Sequence, residues 1–396
     1  MKRKIAAITT SRADYGHLYW PLRDLSAHPQ VDLKLIVLGS HLSPEFGHTC
    51  REIEKDGFPI DAKIECLLSS DSDVGMAKTI GVATLSLADC LGQMRPDILL
   101  LIADRYEMLA PASVALALRI PIAHIEGGEI SEGAIDDAVR NAITKMSHIH
   151  FTSTWEARRR IIAMDEEEWR VHRVGAPSLD HLRRRTLYTR EELESLLKFK
   201  LEQPSVLVAY HPVTIARDTV EEAAAFFEAL TSLPEQILFC YPNADAGSRD
   251  LIARARSFAA SRKNSHVFVN LDALTYWSLL RQVDVFLGNS SSGIMETPSV
   301  PLPTVNVGLR QQGRERARNI IDAAPNVPAI LEALHSAKSP AFRESLRGMT
   351  NPYGDGLASG KILQVLTTVP LSQELLMKRH SSLPAPESAN PSQPPQ

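Results

Sequence analysis

Two short segments concentrate the residue types that proton transfer and anion binding need. In the first, Ala123-His124-Ile125-Glu126-Gly127-Gly128-Glu129 ends an apolar, β-like run in a carboxylate, and Asp136, Asp137 and Arg140 follow closely. Acids beside a cation suit acid–base chemistry on a bound ligand. In the second, Gly288-Asn289-Ser290-Ser291-Ser292-Gly293 follows another apolar run. Small, donor-rich residues leading into a helix near Ile294 suit a phosphate group, through backbone amides, hydroxyls and the positive helix end. Together the two segments imply an enzyme acting on a phosphorylated small molecule.

Further candidates follow other apolar runs. Asp104 ends Ile98 to Ala103, where it serves either as a carboxylate at the sheet rim or as a helix N-cap with a surface ion pair. The glycines after Glu126 allow backbone or ligand to approach closely. Asp136 and Arg140, four apart, share a helix face; they form a local ion pair or orient a second acid. His211 ends Val206 to Tyr210 and precedes Pro212, which places it at a strand end, as a hydrogen-bonded structural residue or as a donor to phosphate. Thr214 adds a neutral donor. Glu296 is suited to ribose hydroxyls, and Arg310, Arg314 and Arg316 offer cations to phosphate or form a solvated helix face. No Gly-x-x-x-x-Gly-Lys-Ser/Thr sequence occurs, which argues against ATP hydrolysis.

The elements that must position these residues alternate. Lys4 to Thr10, Leu33 to Leu38, Ile98 to Ile102, Ile120 to Ile125 and Ile149 to Thr152 read as strands, with helices at Met76 to Gln93 and Asp137 to Met146. After Val174-Gly175-Ala176-Pro177 the rhythm restarts, with strands at Val206 to Tyr210, Ile237 to Tyr241, Val267 to Val269, Val285 to Leu287 and Thr304 to Val307, and helices at Val220 to Leu230 and Leu251 to Ala260. This predicts an α/β protein of two doubly wound, Rossmann-like units, 1–175 and 176–361. A helix within 362–379 returns to the first unit, and a Pro/Ser-rich tail, 380–396, is expected to be disordered. The polar clusters all follow strands, as ligand sites do in open parallel sheets.

A length of 396 residues with 44% hydrophobic content supplies two cores, and a net charge of −4 gives no global field for nucleic acid. Four cysteines without Cys-x-x-Cys spacing suggest no metal cluster and fit a reducing cytoplasm. No uninterrupted apolar run approaches the roughly 20 residues of a membrane span, so no membrane partner is expected.

The ordered set Ser11-Arg12-Ala13-Asp14-Tyr15-Gly16, Ala103-Asp104-Arg105, His124 to Glu129, Asp136 through Lys145, His211-Pro212-Val213-Thr214, Gly288 to Gly293 and Arg310-Gln311-Gln312-Gly313-Arg314 resembles the hydrolysing UDP-N-acetylglucosamine 2-epimerases, over roughly Lys4 to Ile320. The resemblance implies two units facing across a GT-B cleft, a UDP-sugar substrate, no cofactor and a homodimer or homotetramer. It implies elimination of UDP to a glycal and hydration to N-acetylmannosamine, a step toward sialic or other nonulosonic acids. By that match Arg12, Asp104, Glu126, Asp136, His211, Ser290, Ser291, Glu296 and Arg310 carry over; with Arg140, Thr214 and Arg314 added, Asp104, Glu126, Asp136 and His211 are read as catalytic and the others as substrate-binding. Ala103 departs from the glycine this family often carries before Asp-Arg. Competing readings are the same reaction on a UDP- or GDP-linked 2,4-diacetamido sugar, a GT-B glycosyltransferase, and a catalytically silent nucleotide-sugar sensor.

Overall fold

The computed structural model describes residues 2–68, 72–132, 135–211, 219–241, 248–269 and 271–379. Thr214 and the 380–396 tail lie outside them. The apolar runs form two wholly parallel sheets. The first contains β1 (Arg3–Thr9), β2 (Val31–Leu38), β3 (Ala62–Ile64), β4 (Ile98–Ile102), β5 (Ile122–Ile125), β6 (Ile149–Thr152) and β7 (Val171–Arg173), in the order β3-β2-β1-β4-β5-β6-β7. The second contains β8 (Ser205–Ala209), β9 (Gln236–Tyr241), β10 (Ser265–Val269), β11 (Val285–Gly288), β12 (Thr304–Val307) and β13 (Ile320–Ala323), in the order β10-β9-β8-β11-β12-β13. Helices cover both faces, so central strands such as Ile98–Ile102 are buried at every residue and read as unbroken apolar runs.

Both sheets reverse their winding beside the first strand, between β1 and β4 and between β8 and β11. A crevice opens there because successive crossovers leave to opposite sides. Ser11-Arg12 and Ala103-Asp104 follow the first pair of strands, and His211 and Asn289 follow the second. The chain therefore delivers four of its polar clusters to its two switch points.

Helices α1 (Arg12–Ala27), α2 (Cys50–Lys55), α3 (Asp73–Met94), α4 (Leu109–Ala117), α5 (Asp136–Met146) and α6 (Trp155–Ala163) flank the first sheet. Helix α3 corrects the apolar-run count: among the described helices it alone has the length and composition to cross a membrane. Lys78, Thr84, Ser86 and Asp89 interrupt its apolar residues, which hides it from a search for unbroken runs. Thr79, Ala83, Leu87 and Leu91 form its buried face, and Val74 and Leu85 are exposed. Near the chain end, Ala358–Thr368 packs on α1, and Ile362, Leu366 and Leu375 join the core of the first sheet. Arg170, fully buried, fixes the segment beyond it through the carbonyls of Glu374, Leu375 and Met377 at 2.7–2.9 Å.

Candidate active site

A cavity of about 770 Å³ lies between the carboxyl edges of the two sheets. Arg12, Gly16 and His17 of α1 line one wall, and His211, Ser290, Ser291, Glu296 and Arg310 line the other. The α1 wall is set by its cap. Ser11 accepts from the Asp14 amide, while the buried Asp14 carboxylate accepts from the Thr10 hydroxyl at 2.5 Å and the Thr10 amide at 3.2 Å. That closed turn starts the helix with Ala13, Gly16 and His17 facing the cavity. Arg12 is steadied from α2 by Glu52, Nε to Oε2 3.1 Å.

Glu126 leaves β5 in a left-handed conformation, φ 65°, with its amide donating to Phe151 O at 2.8 Å. Non-glycine residues are uncommon in that region, which costs an L-residue about 1–2 kcal/mol. Its Oε1 lies 2.7 Å from Nδ1 of His17. Burial pushes the Glu126 carboxyl up, but the charge and hydrogen bond of His17, with Arg314 and His124 beyond, outweigh it and hold the group below its usual range. Desolvation pulls His17 down, yet Glu126, Glu296 and Asp14 raise it to about 9. His124 itself is neutral, held by burial at about 4, with Nε2 2.8 Å from Ala103 O.

The second glycine after Glu126 serves packing rather than ligand approach. At Gly128, φ 77°, a Cβ would overlap the Ala157 carbonyl of α6. Glu129 is buried beyond it, and loss of solvation raises it to about 7 despite Arg314 and Arg160. Buried Arg140 pairs with Asp104, and bonds Glu129 O at 2.8 Å, Ser131 Oγ at 3.0 Å and Asp137 Oδ1 at 3.2 Å. Its partner on the helix is thus Asp137, three residues back, rather than the Asp136 expected from i,i+4 spacing. Desolvation, aided by Arg314 and Arg160, lowers its pKa to about 9, and it remains a cation at neutral pH.

The opposite wall is built by reciprocal bonds. The His211 amide donates to Asn289 Oδ1 at 2.7 Å and Asn289 Nδ2 returns a bond to His211 O at 2.9 Å, locking the ends of β8 and β11 together. Gly288, φ 152°, is needed at this crossing because a Cβ would overlap the Ala209 carbonyl. Arg310 Nη1 and Gln311 Nε2 then brace Asn289 O at 3.1 and 2.8 Å. The expected helix dipole is small, because the helix Ser292–Met295 is a single turn. The donors that this wall presents to the cavity are Ser290, Ser291 and Arg310. Below them a relay runs from Tyr276 to Ser292 at 2.6 Å and from Ser292 to Glu296 at 2.5 Å. Burial raises the Glu296 carboxyl against the Ser292 bond and His17.

The match to the family model for UDP-N-acetylglucosamine 2-epimerase runs over residues 23–367. The chain belongs to this family, in its hydrolysing branch. It is 37% identical, over 96% of its length and 99% of the relative's, to the UDP-N,N'-diacetylbacillosamine 2-epimerase (hydrolyzing) of Legionella pneumophila. It is 31% identical, over 85% and 88%, to the UDP-N-acetylglucosamine 2-epimerase of Neisseria meningitidis. A solved Neisseria meningitidis UDP-GlcNAc 2-epimerase, bound to UDP-GlcNAc, matches its fold with a TM-score of 0.79 at 18% identity, covering 92% of this chain and 99% of that one.

For this epimerase the predicted residues divide by position. Arg12, His211, Ser290, Ser291, Glu296 and Arg310 are on the cavity wall, and Glu126 is reached through His17. Among the described residues, Asp104, Asp136, Arg140 and Arg314 are not on that wall. Asp104 keeps 21% side-chain exposure beside Arg140, and Asp136 is half-buried at the start of α5. Arg314 crosses from the second unit to Ile130 O at 3.0 Å and bonds Met295 Sδ of its own unit at 3.1 Å, and Arg316 pairs with Asp322 at 2.7 Å. Sequence reasoning misses His17 and Tyr276. The signal for His17 is a serine-capped helix whose first turns offer Ala13, Gly16 and His17 on one side, small residues with one titratable group among them.

Proposed function

We propose that this epimerase cleaves a UDP-linked 2-acetamido sugar with water, releasing UDP and the free sugar inverted at C2. The carrying observation is the cavity itself, with Ser290, Ser291 and Arg310 on one wall and the His17–Glu126 pair behind the other. Glu126, ionised at neutral pH, accepts the C2 proton. The C1–O bond breaks with its electron pair leaving on the diphosphate, and C1=C2 forms. Arg310, the serines and His211 stabilise the leaving charge. Water then adds hydroxide at C1, its remaining proton replacing the one that Asp104 or Asp136 delivers to C2 on the opposite face, and Glu126 returns its proton to solvent. Arg140 sets Asp104, Arg12 and Thr214 contact substrate, Glu296 takes the ribose hydroxyls, and Arg314 draws the phosphate-side loop toward the acids. In this reading residues 1–175 carry the acids, 176–361 hold the nucleotide, and 362–379 return to the first unit.

The sugar proposed is a 2,4-diacetamido-2,4,6-trideoxy hexose, supported by the higher identity to the diacetylbacillosamine relative. UDP-N-acetylglucosamine, giving N-acetylmannosamine, is the second reading, favoured by the 31% relative. Both nucleotide sugars, incubated separately in heavy water, decide the matter. The expected result is acceptor-free UDP release with deuterium at C2, faster for the diacetamido sugar. UDP release only after an acceptor is added would make the protein a transferase. Glu126→Gln should still bind UDP and lose at least ~100-fold in kcat, the range of one general base.

A further inference from the structure

We infer that His17 is a positioning residue: through the 2.7 Å contact of its Nδ1 with Oε1 it fixes the Glu126 carboxyl beside the cleft. The inference rests on the reading of Glu126 as proton acceptor.

His17 both lines the cavity and contacts the acid. Its side chain is 26% exposed and lines the cavity, whereas that of Glu126 is 9% exposed behind it. The Glu126 backbone is pinned by its bond to Phe151 O and its left-handed φ, so the carboxylate has little freedom except about its side-chain torsions. Its bond to His17 Nδ1, at 2.7 Å, fixes those torsions across 109 residues of sequence. A purely structural ion pair would gain little here, because desolvating both charges offsets their attraction. A pair placed on the cleft wall instead keeps a buried carboxyl ionised where a proton must be accepted.

The charged surroundings agree. Facing His17 are Glu126 from the β5 end, Asp14 from its own helix, Glu296 from the opposite unit and His181 from the connecting segment. Facing Glu126 are His17, Arg314, His124, Glu129 and Glu296. Three carboxyl groups thus surround one imidazole, whose value is raised to about 9, while that of Glu126 is depressed. The active charge state persists between the two, and is lost as pH rises through about 9 or falls through the Glu126 value. Arg140, at about 9, contributes to the same alkaline limb, so kinetics alone do not isolate His17.

The test combines imidazole NMR with pH–rate profiles on the full chain. The His17 resonance, assigned by its loss in His17→Gln, should titrate near 9 in the wild type and fall to 6.5 or below in Glu126→Gln. In His17→Gln the acid limb of kcat/KM should move up, with at least a 10-fold loss at pH 6 and a smaller loss at pH 8. His17→Lys, which returns a cation, should move it back. A wild-type His17 titrating at or below 6.5, or a His17→Gln acid limb unchanged while Glu126→Gln is inactive, overturns the inference. Full turnover by Glu126→Gln instead removes the underlying assignment of Glu126, whatever the NMR shows.

Discussion

Replacing Arg140 by Met tests whether the acid loop is held by a buried cation. The guanidinium is 1% exposed and serves Asp104, Asp137, Ser131 and the Glu129 carbonyl at once. Removing one member of a buried ionic group costs about 3–5 kcal/mol, because the remaining charges stay desolvated. Here Asp104 and Asp137, 21% and 35% exposed, regain some water, which places the cost near ~3 kcal/mol, the lower end. At roughly 2–4 °C per kcal/mol for a unit of this size, the melting temperature should fall by about 6–12 °C. Arg347→Met is the control. It breaks only an exposed pair with Glu344, side chains 80% and 61% accessible, and should cost under ~1 kcal/mol. Arg140→Lys keeps the charge without the planar fork and should fall between them. Calorimetry of the three variants and the wild type measures this directly. A loss in Arg140→Met no larger than that in Arg347→Met would falsify the assignment of Arg140 as the clamp of the acid loop.

Two further outcomes follow from single groups. Glu129, at about 7 when folded against 4.5 as a free carboxyl, binds more protons folded than unfolded between those values. Stability therefore falls as pH rises from 4.5 to 7, by on the order of 3 kcal/mol at most. Glu129→Gln should match the wild type near pH 4.5 and melt higher above pH 7, and an unchanged difference across that range would refute the buried neutral acid. Ala103 sits at φ 57°, a conformation that costs an L-residue about 1–2 kcal/mol. Ala103→Gly should raise the melting temperature, by less than that strain because glycine adds unfolded-state entropy, and a decrease would show that the strain is absent.

The central strands were legible because a strand covered on both faces has no polar positions to interrupt it, as in Ile98–Ile102. Three of the four edge strands were not. Ala62–Ile64 and Val171–Arg173 are three residues long, and Ile320–Ala323 has one buried side chain in four, so neither length nor alternation marks them. Periodicity also does not single out α1, where Gly16 and Pro21 lie inside the helix and the turn before it, not propensity, fixes its start. In the cleft, the clusters ending β1, β4, β8 and β11 were legible from their order alone, since any parallel doubly wound unit must bring the strands beside its switch point together. Partners across 109 residues, such as His17 and Glu126, leave no mark in local spacing.

Arg314 shows why a residue type near a predicted anion site does not determine its target. A guanidinium that follows a phosphate-gripping turn by some twenty residues has the same sequence signature whether it meets phosphate or another loop. What decides is which carbonyls the fold leaves without partners. The loop Gly128–Ser131 belongs to no strand or helix, and its outward carbonyls need donors. Arg140 meets Glu129 O, Arg160 meets Gly128 O, and Arg314 meets Ile130 O. Arg160 also reaches Gly313 O, at 3.4 Å, from the first unit. Two arginines from opposite sides therefore tie the loop carrying Glu129 to the loop carrying Arg310. Any movement of the Arg310 loop must therefore act on the Glu129 loop through these bonds, which couples the two sides of the cleft.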